Sequence, residues 1–137
     1  MLSVIVDASG TIDRLTGLLA QLTAGAVNGL VREVWIVASA SATLDEICEA
    51  TGAERCDRMS EAAAAARYEM LLVVPADFRL RDGWIDALEH AGGEGVVVGL
   101  GRSRGVLVVR RRAQQLADHV SLGRLRRKLG LWPKRLG

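Results

Sequence analysis

The stretch that decides the fold is Met70-Leu71-Leu72-Val73-Val74-Pro75-Ala76-Asp77. Seven consecutive apolar residues precede the acid, which predicts a strand buried on both faces of a sheet. Pro75 cannot donate to a strand ladder, so the strand should end there. The run is also far shorter than the roughly 20 residues that cross a bilayer, so it is not a membrane span.

The same pattern recurs on either side of this strand. Apolar runs at residues 1–6 and 34–37 are each followed by helical spacing, with helices expected to begin near Ile12 and Thr43. Alternating buried strands and amphipathic helices predict an α/β fold with a doubly wound, mostly parallel sheet and helices on both faces. The last two apolar runs, residues 96–98 and 106–109, are joined by a polar loop and predict a hairpin or a pair of edge strands, not another βαβ unit.

Several local signals refine this outline. Thr43 and Glu46 have the spacing of a capping box, which predicts the start of the second helix. Gly25 and Asn28-Gly29 should end the first helix. Asp82 is the expected cap of a short helix that carries Trp84 as its anchor on the sheet, and Trp35 should lie in the core.

Composition and length bound the class of protein. The chain has 137 residues, 50% hydrophobic and 25% charged, which is typical of one folded domain. Two cysteines, Cys48 and Cys56, are too few for a disulfide scaffold and are expected to be buried thiols in a reducing compartment. The first residues include no basic region of the kind that opens a signal peptide. The expected location is the cytoplasm.

Charge divides the chain in two. Residues 1–100 carry 7 Lys and Arg against 15 Asp and Glu, whereas residues 101–137 carry 11 against 1. We therefore expect an α/β domain over residues 1–112 and a basic helical segment over residues 113–137, part of the same domain or a surface-docking tail. The basic segment ends in a predicted amphipathic helix whose apolar face is formed by four residues, Leu122, Leu125, Leu129 and Trp132.

The charge of this basic segment suits a negatively charged binding partner. It suits an anionic membrane surface or a lipid-linked acceptor, which would place the protein at the inner face of the membrane. It equally suits packing on the protein's own acidic body. Nucleic acid is not expected, because Trp132 is the one aromatic side chain in the segment and stacking platforms are missing.

Ligands of doubly wound sheets bind at the carboxyl ends of the strands, which directs attention to residues 7–11, 38–43 and 75–79. The first of these loops contains a single glycine, Gly10, and not the G-x-G-x-x-G of a dinucleotide site. The chain also contains no P-loop lysine motif. Nicotinamide, flavin and P-loop nucleotide chemistry are thus not indicated.

Three segments together resemble glycosyltransferase family 2, the inverting sugar transferases of the GT-A fold. The first is Ser3-Val4-Ile5-Val6 with the leucine-rich helix that follows it. The second is Arg32-Glu33-Val34-Trp35-Ile36-Val37, followed by Ala38-Ser39-Ala40-Ser41-Ala42-Thr43. The third, and most specific, is Leu71-Leu72-Val73-Val74-Pro75-Ala76-Asp77-Phe78-Arg79-Leu80-Arg81-Asp82-Gly83-Trp84-Ile85, which is similar to the strand and D-x-D region of the family.

The resemblance implies transfer of a sugar from a nucleotide sugar to an acceptor. It implies that Asp7, Ser39 and Ser41 line the nucleotide pocket, that Asp77 helps to hold a divalent cation (Mg²⁺ or Mn²⁺), and that Asp118 is the catalytic base. From the residues alone, Asp77 is at least as well explained as a turn residue after the strand, and Asp118 is more simply a carboxylate on a helix surface.

The chain departs from the family pattern at each of these places. Ala38 and Ser39 stand where acids are usual, and Pro75 occupies the first D-x-D position. The alternative is therefore a non-catalytic module on the same scaffold that binds a nucleotide sugar or a partner.

Overall fold

Seven strands form one sheet in the computed structural model, which describes residues 1–10, 12–91, 93–101, 103–116 and 133–135. In chain order they are β1 (Leu2–Asp7), β2 (Val31–Val37), β3 (Glu54–Cys56), β4 (Met70–Pro75), β5 (Gly95–Val98), β6 (Arg104–Val109) and β7 (Pro133–Arg135). Across the sheet the order is β3-β2-β1-β4-β6-β5-β7. The decisive apolar run of the sequence is β4, which lies at the centre.

The sheet is mixed, and its central part is parallel. β1 pairs in parallel with β2 on one side and with β4 on the other, and β3 continues the parallel part beyond β2. β6 is antiparallel to both β4 and β5, which confirms the predicted hairpin. β7 pairs in parallel with β5 at the far edge. The predicted doubly wound, mostly parallel α/β fold is confirmed.

Five helices are described, on both faces of the sheet. They are α1 (Leu15–Asn28), α2 (Ala42–Thr51), α3 (Met59–Ala65), α4 (Trp84–Glu89) and α5 (Arg110–Leu116). Each of these helices is too short or too polar to span a bilayer. The predicted basic helix over residues 121–132 lies outside the described residues.

Alternate residues of each strand enter two separate cores. On the α1 face, the even-numbered Val4 and Val6 of β1 pack with Leu72 of β4 and with α1, α2 and α4. On the α3 face, Ile5 and Leu71 pack with α3 and α5. Because each central strand is apolar on both faces, it can be covered on both sides, as its sequence predicts.

Gly25 does not end α1. The helix continues to Asn28 and ends at Gly29, which adopts the left-handed conformation with φ 91°. Gly25 is buried because the ring of Trp84 lies against it: a Cβ built on Gly25 would come within 2.5 Å of Trp84 Cη2 and 2.7 Å of Val31 Cγ2. Trp84 is 7% exposed and anchors α4, as predicted.

One polar side chain, Ser3, is fully buried in β1. Ser3 has no exposed surface, and its Oγ donates to Glu33 Oε1 at 2.7 Å. The same carboxylate oxygen accepts from the backbone N of Arg67 at 2.6 Å. Glu33 thus joins β1 and β2 to the segment that leads into β4, and the burial of Ser3 leaves no unpaired polar atom.

Three local predictions are wrong. α2 is capped by Ser41, whose side chain accepts from the backbone N of Leu44 at 3.1 Å, and not by Thr43. α4 begins after Gly83 in the left-handed conformation and not with a side-chain cap from Asp82. Trp35 is half-buried and packs at the margin of the core on the α3 face.

Candidate functional site

Three loops leave the carboxyl edge of the sheet side by side. Asp7, the last residue of β1, is level with Val37 of β2 and with Pro75 of β4. Hydrogen bonds extend this order beyond the strands, from Ala8 N to Val37 O at 2.9 Å and from Ala76 N to Asp7 O at 3.1 Å. The loops that carry Asp7, Ser39 and Ser41, and Asp77 are therefore neighbours, as the sequence predicts.

Asp7 occupies the middle of this edge and is half-buried. Its Oδ1 accepts from Ser9 Oγ at 2.7 Å and from Ser9 N at 3.2 Å, which fixes the carboxylate at the start of the loop. The second oxygen, Oδ2, takes part in none of these bonds. A carboxylate held in this way can accept a hydrogen bond from a ligand hydroxyl or N–H group.

The loop after β2 presents Ser39 and Ser41, both exposed. Ser41 is tied to α2 as its cap, which leaves its hydroxyl hydrogen available to a ligand. The loop is braced from β3, because Arg55 Nη1 donates to Ala38 O at 3.0 Å and to Asp57 Oδ1 at 2.7 Å. The hydrogen bond to Asp57 raises the pKa of Arg55 further above its ordinary value.

Asp77 lies in the loop after β4 and is exposed, with no hydrogen bond or ion pair to the described residues. The loop itself is held firmly. Gln21 Oε1 accepts from Leu80 N at 2.7 Å while Gln21 Nε2 donates to Leu80 O at 3.1 Å. Arg79 Nη2 donates to Arg14 O at 2.8 Å, beside Gly17 of α1. Asp77 is thus a free carboxylate on a fixed loop.

The turn between β5 and β6 packs against the same loop. Leu100 N donates to Arg79 O at 2.8 Å, and Arg81 Nε donates weakly to Gly99 O at 3.4 Å. Gly99 has no room for a side chain, because a Cβ there would lie 2.5 Å from Arg79 O. The ends of β4 and β5 are therefore locked together at the carboxyl edge.

Sequence reasoning missed Gln21 and Arg55, which hold the two loops. Both act on backbone groups far away in the sequence, so no local motif marks them. Arg79 falls within the segment that carries the family resemblance, but its role is equally invisible without the contact to α1.

The described residues include no group of three His, Cys, Asp or Glu side chains arranged to hold a metal ion. Of the acids predicted at this edge, Asp77 is the one whose carboxylate makes no hydrogen bond or ion pair to the described residues, whereas Asp7 is bonded to Ser9. These residues therefore fit a divalent cation only if phosphate oxygens of a ligand and water complete its shell, since Mg²⁺ is commonly held by one or two carboxylates and substrate phosphates.

The proposed base, Asp118, lies outside the described residues. The basic run that precedes it is described in part, and it is occupied by the protein's own groups. Arg110 Nη1 donates to Ala66 O and Arg67 O at the end of α3, at 3.2 and 3.0 Å. Arg112 Nη1 pairs with Glu94 Oε1 at 2.7 Å.

Three cavities formed by described residues lie away from the carboxyl edge. The largest of the three, about 400 Å³, is at the opposite end of the sheet, between Met1, Leu30 and Met70. The others, about 130 and 180 Å³, adjoin β2 near Gly52.

No protein-family model matches the chain, and no curated protein matches it in sequence. Solved structures do match. Glucosyl-3-phosphoglycerate synthase from Mycobacterium tuberculosis, solved with Mn²⁺, uridine diphosphate and glucosyl-3-phosphoglycerate, superposes with a TM-score of 0.61 at 15% identity, over 100% of this chain and 70% of that chain. The 4-diphosphocytidyl-2C-methyl-D-erythritol synthase of Anaerococcus prevotii gives 0.62 at 9% identity, over 100% and 89%.

The fold is GT-A-like. Mannosyl-3-phosphoglycerate synthase from Rubrobacter xylanophilus gives a TM-score of 0.54 at 17% identity over 72% of this chain. This chain covers only 39% of the length of that enzyme. At these identities the likeness concerns the architecture, and it confirms the GT-A-like arrangement that the sequence predicts.

Proposed function

We propose that this protein binds a nucleotide sugar at the carboxyl edge of β1, β2 and β4. The observation that carries the proposal is the alignment of three loops on a GT-A-like sheet, with Asp7, Ser39 and Asp77 on adjacent loops. The ligands of the mycobacterial structure, uridine diphosphate and Mn²⁺, support this class of ligand.

Asp7, Ser39 and Ser41 are the proposed contacts for the nucleoside. The carboxylate of Asp7 is an acceptor held in place by Ser9, and it suits the hydroxyl or N–H donors of a ribose or base. The two serine hydroxyls lie on the next loop and can both donate and accept. With the nucleoside bound there, the diphosphate would lie next to the loop that carries Asp77.

Asp77 is the proposed ligand of a divalent cation shared with the diphosphate. A bound Mg²⁺ or Mn²⁺ would supply positive charge to a diphosphate leaving group. The contribution of the chain is to hold one carboxylate in position, through the bonds of Gln21 and Arg79 that fix the loop.

Inverting sugar transfer, as in glycosyltransferase family 2, is the activity that the sequence resemblance adds to this binding site. Asp118 is the proposed base that would accept the proton of the acceptor hydroxyl. A binding module without transfer is the second candidate. It is favoured by Pro75, which ends β4 where the first D-x-D acid would stand, and by Ala38, whose carbonyl is occupied by Arg55.

The test is thermal unfolding of the full chain with UDP-, GDP- and TDP-sugars, each with and without Mn²⁺. A ligand at about 100 times its dissociation constant adds roughly 2.7 kcal/mol to the free energy of unfolding, which raises Tm by several degrees. Asp77→Asn should remove the Mn²⁺-dependent part of the shift. Asp82→Asn, an exposed acid of the same loop that caps no helix, is the matched control and should not.

A second measurement separates the two candidate functions. Hydrolysis or transfer of the bound donor, lost in Asp118→Asn while donor binding is kept, would support a transferase. Donor binding without turnover in the unaltered chain would support the binding module. If no donor at millimolar concentration shifts Tm with or without Mn²⁺, the proposed binding function is wrong.

A further inference from the structure

The outer side of β2 is only partly covered by β3. β3 pairs with β2 from Trp35 to Val37, whereas β1 pairs with β2 from Val31 to Val37. Among the strands that the structure describes, none lies beside residues 31–34 on this outer side, which we call the unpaired edge. An unpaired edge of a sheet can pair with a further extended chain.

The main-chain N–H group of Val34 faces the unpaired edge. At the end of β2, Val37 O accepts from Ala8 N on the β1 side, and Ala38 N donates to Cys56 O on the β3 side. The main-chain groups of successive residues alternate in direction along a strand, so those of Val34 face the same side as those of Ala38. Pairing with β3 begins only at the next residue of β2, so this N–H group has no partner in the ladder.

The segment that leads into β3 turns away from this edge. Gly52 has a φ of 78°, and its N–H group is bound to Cys48 O of α2. Ala53 N donates to Thr51 Oγ1 at 3.3 Å and not to β2. The space beside residues 31–34 is therefore left to a ligand.

A cavity adjoins the unpaired edge on each face of the sheet. The cavity on the α1 face, about 130 Å³, is lined by apolar side chains, among them Leu19, Leu22, Val31 and Val34. The cavity on the α3 face, about 180 Å³, is lined by aromatic and charged residues. Both cavities are lined by Arg32, Glu33, Val34 and Gly52. Because side chains of a strand point alternately to the two faces, one added strand would reach both cavities.

The cavity on the α1 face suits one aliphatic side chain. An apolar cavity of about 150 Å³ in a protein can hold a ligand of the size of benzene. A cavity of about 130 Å³ between α1 and β2 has room for a leucine or isoleucine side chain.

The cavity on the α3 face suits a basic side chain. Glu54 is paired with Trp35, so both side chains are on this face, and both line the cavity together with Tyr68. Glu54 is exposed and makes no hydrogen bond or ion pair to the described residues. Aromatic rings and a carboxylate both attract a cation.

The other charged residues of this cavity have contacts within the chain. Glu33 Oε2 lies 3.9 Å from Arg67 Nε, so the two charges offset each other. Arg32 Nε donates to Met1 Sδ at 3.1 Å, and Met1 does not line this cavity. The charge that remains without a counterion in the cavity is thus the negative charge of Glu54.

We propose that the unpaired edge binds an extended segment of a partner protein in which an aliphatic residue alternates with lysine or arginine. The aliphatic side chain fills the cavity on the α1 face, and a basic side chain lies beside Glu54 on the α3 face. A carbonyl group of the segment accepts from Val34 N. In this mode of recognition, main-chain bonds supply affinity and the pockets for alternate side chains supply sequence preference.

This docking site is separate from the candidate nucleotide site. Val34 lies three residues, about 10 Å, from Val37 at the carboxyl end of β2. UDP should therefore leave the binding of the segment unchanged, and the two proposals stand or fall separately.

The test is NMR titration of the isotopically labelled full chain with the peptide acetyl-Thr-Lys-Leu-Lys-Thr-amide. Its symmetry offers the same side chains in either strand direction. Saturating peptide should shift the amide signal of Val34 and slow the hydrogen exchange of this N–H group about tenfold. The control peptide acetyl-Thr-Glu-Leu-Glu-Thr-amide should bind about fivefold more weakly.

Two variants test the cavities separately. Ala26 is exposed and lines the cavity on the α1 face, so Ala26→Leu fills the cavity and should weaken peptide binding about tenfold. Ala24→Leu, at an exposed alanine of α1 that lines neither cavity, is the matched control. Glu54→Lys should reverse the preference between the two peptides, whereas Glu49→Lys, at an exposed acid of α2, should not.

Three results would overturn the proposal. The first is the absence of a shift at Val34 with the lysine peptide at millimolar concentration. The second is equal affinity for the lysine and glutamate peptides. The third is protection of Val34 N–H that appears without peptide as the protein concentration rises and is lost in Ala26→Leu, because a second copy of the chain would then occupy the edge.

Discussion

The side chain of Gln21 and the backbone of Leu80 are joined by two hydrogen bonds, one in each direction, at 2.7 and 3.1 Å. Leu80 is buried, so its N–H and carbonyl groups have no water to replace Gln21. Because Leu80 follows Asp77 by three residues, this bond between α1 and the loop after β4 fixes the carboxylate that we propose as a metal ligand.

Gln21→Met is expected to destabilise the protein. The side chain keeps its length but leaves both backbone groups of Leu80 unpaired, at a cost of about 1–3 kcal/mol. Urea unfolding monitored by circular dichroism measures the loss. Gln21→Glu keeps the acceptor for Leu80 N but puts a carboxylate oxygen against the Leu80 carbonyl, so it should also lower the free energy of unfolding. Equal stability of Gln21→Met and the unaltered chain would show that the pair is unimportant.

Gly25→Ala should also destabilise the protein, although alanine favours helices over glycine by about 1 kcal/mol. The added Cβ would meet Trp84 Cη2 at 2.5 Å, and overpacking of a core typically costs about 1–3 kcal/mol. Thermal unfolding of a double-mutant cycle with Trp84→Phe checks the cause. The loss from Gly25→Ala should be smaller in the Trp84→Phe background, and an equal loss would rule out this contact.

Ser41 and Ser39 should differ in stability but not in ligand binding. Ser41→Ala removes the cap of α2 and should cost about 0.5–2 kcal/mol, whereas Ser39→Ala breaks no described hydrogen bond and should leave Tm unchanged. Both variants should weaken UDP binding if the two hydroxyls contact the nucleoside. Ser41→Asp restores the cap and separates the two effects, and unchanged UDP affinity in Ser39→Ala would remove that residue from the site.

The two thiols should react slowly and should not pair. Cys56 is buried as predicted, whereas Cys48 is only half-buried, because it lies at the margin of the core on the α1 face. Desolvation raises the pKa of both thiols above the ordinary value of 9.0. The rate of alkylation by iodoacetamide should therefore rise at a higher pH than it does for a free cysteine in solution. Cys48 packs on the α1 face and Cys56 on the α3 face, so mild oxidation should give no internal disulfide.

The raised pKa values of the two thiols also predict how the stability of the protein changes with pH. A thiol with a raised pKa in the folded state holds its proton longer than in the unfolded chain, so its contribution is present below pH 9 and is lost as pH rises further. Stability measured between pH 8 and 10 should fall less in Cys56→Ala than in the unaltered chain. A steeper fall in that variant would contradict the assignment.

The central strands and the mostly parallel α/β fold could be predicted because the information is local. β4 and β1 are continuous apolar runs, and each is apolar on both faces because each is covered by helices on both sides. The pairing of β5 with β6 could be predicted in the same way, because two valine-rich runs flank a glycine-rich loop. The three loops of the candidate site followed from the general rule for parallel sheets.

The details that failed depend on partners distant in the chain. A glycine such as Gly25 commonly marks the end of a helix, but here the ring of Trp84 requires a glycine within the helix. Ser41 and Thr43 are both good caps in sequence, and only the point at which the chain leaves β2 decides between them. Gln21 and Arg55 bind backbone groups, which carry no side-chain signature at all.

Ser3 also determines which alignment of the central strands is possible. If β1 slipped by one residue against β2, its hydroxyl would turn into the hydrocarbon of the α1 face, and Glu33 would meet an apolar side chain instead. Each error would leave a polar group buried without a partner. One serine and one glutamate therefore make the slipped pairing of β1 with β2 less stable than the native pairing. Strands composed of valine, isoleucine and leucine alone would not distinguish the two pairings in this way.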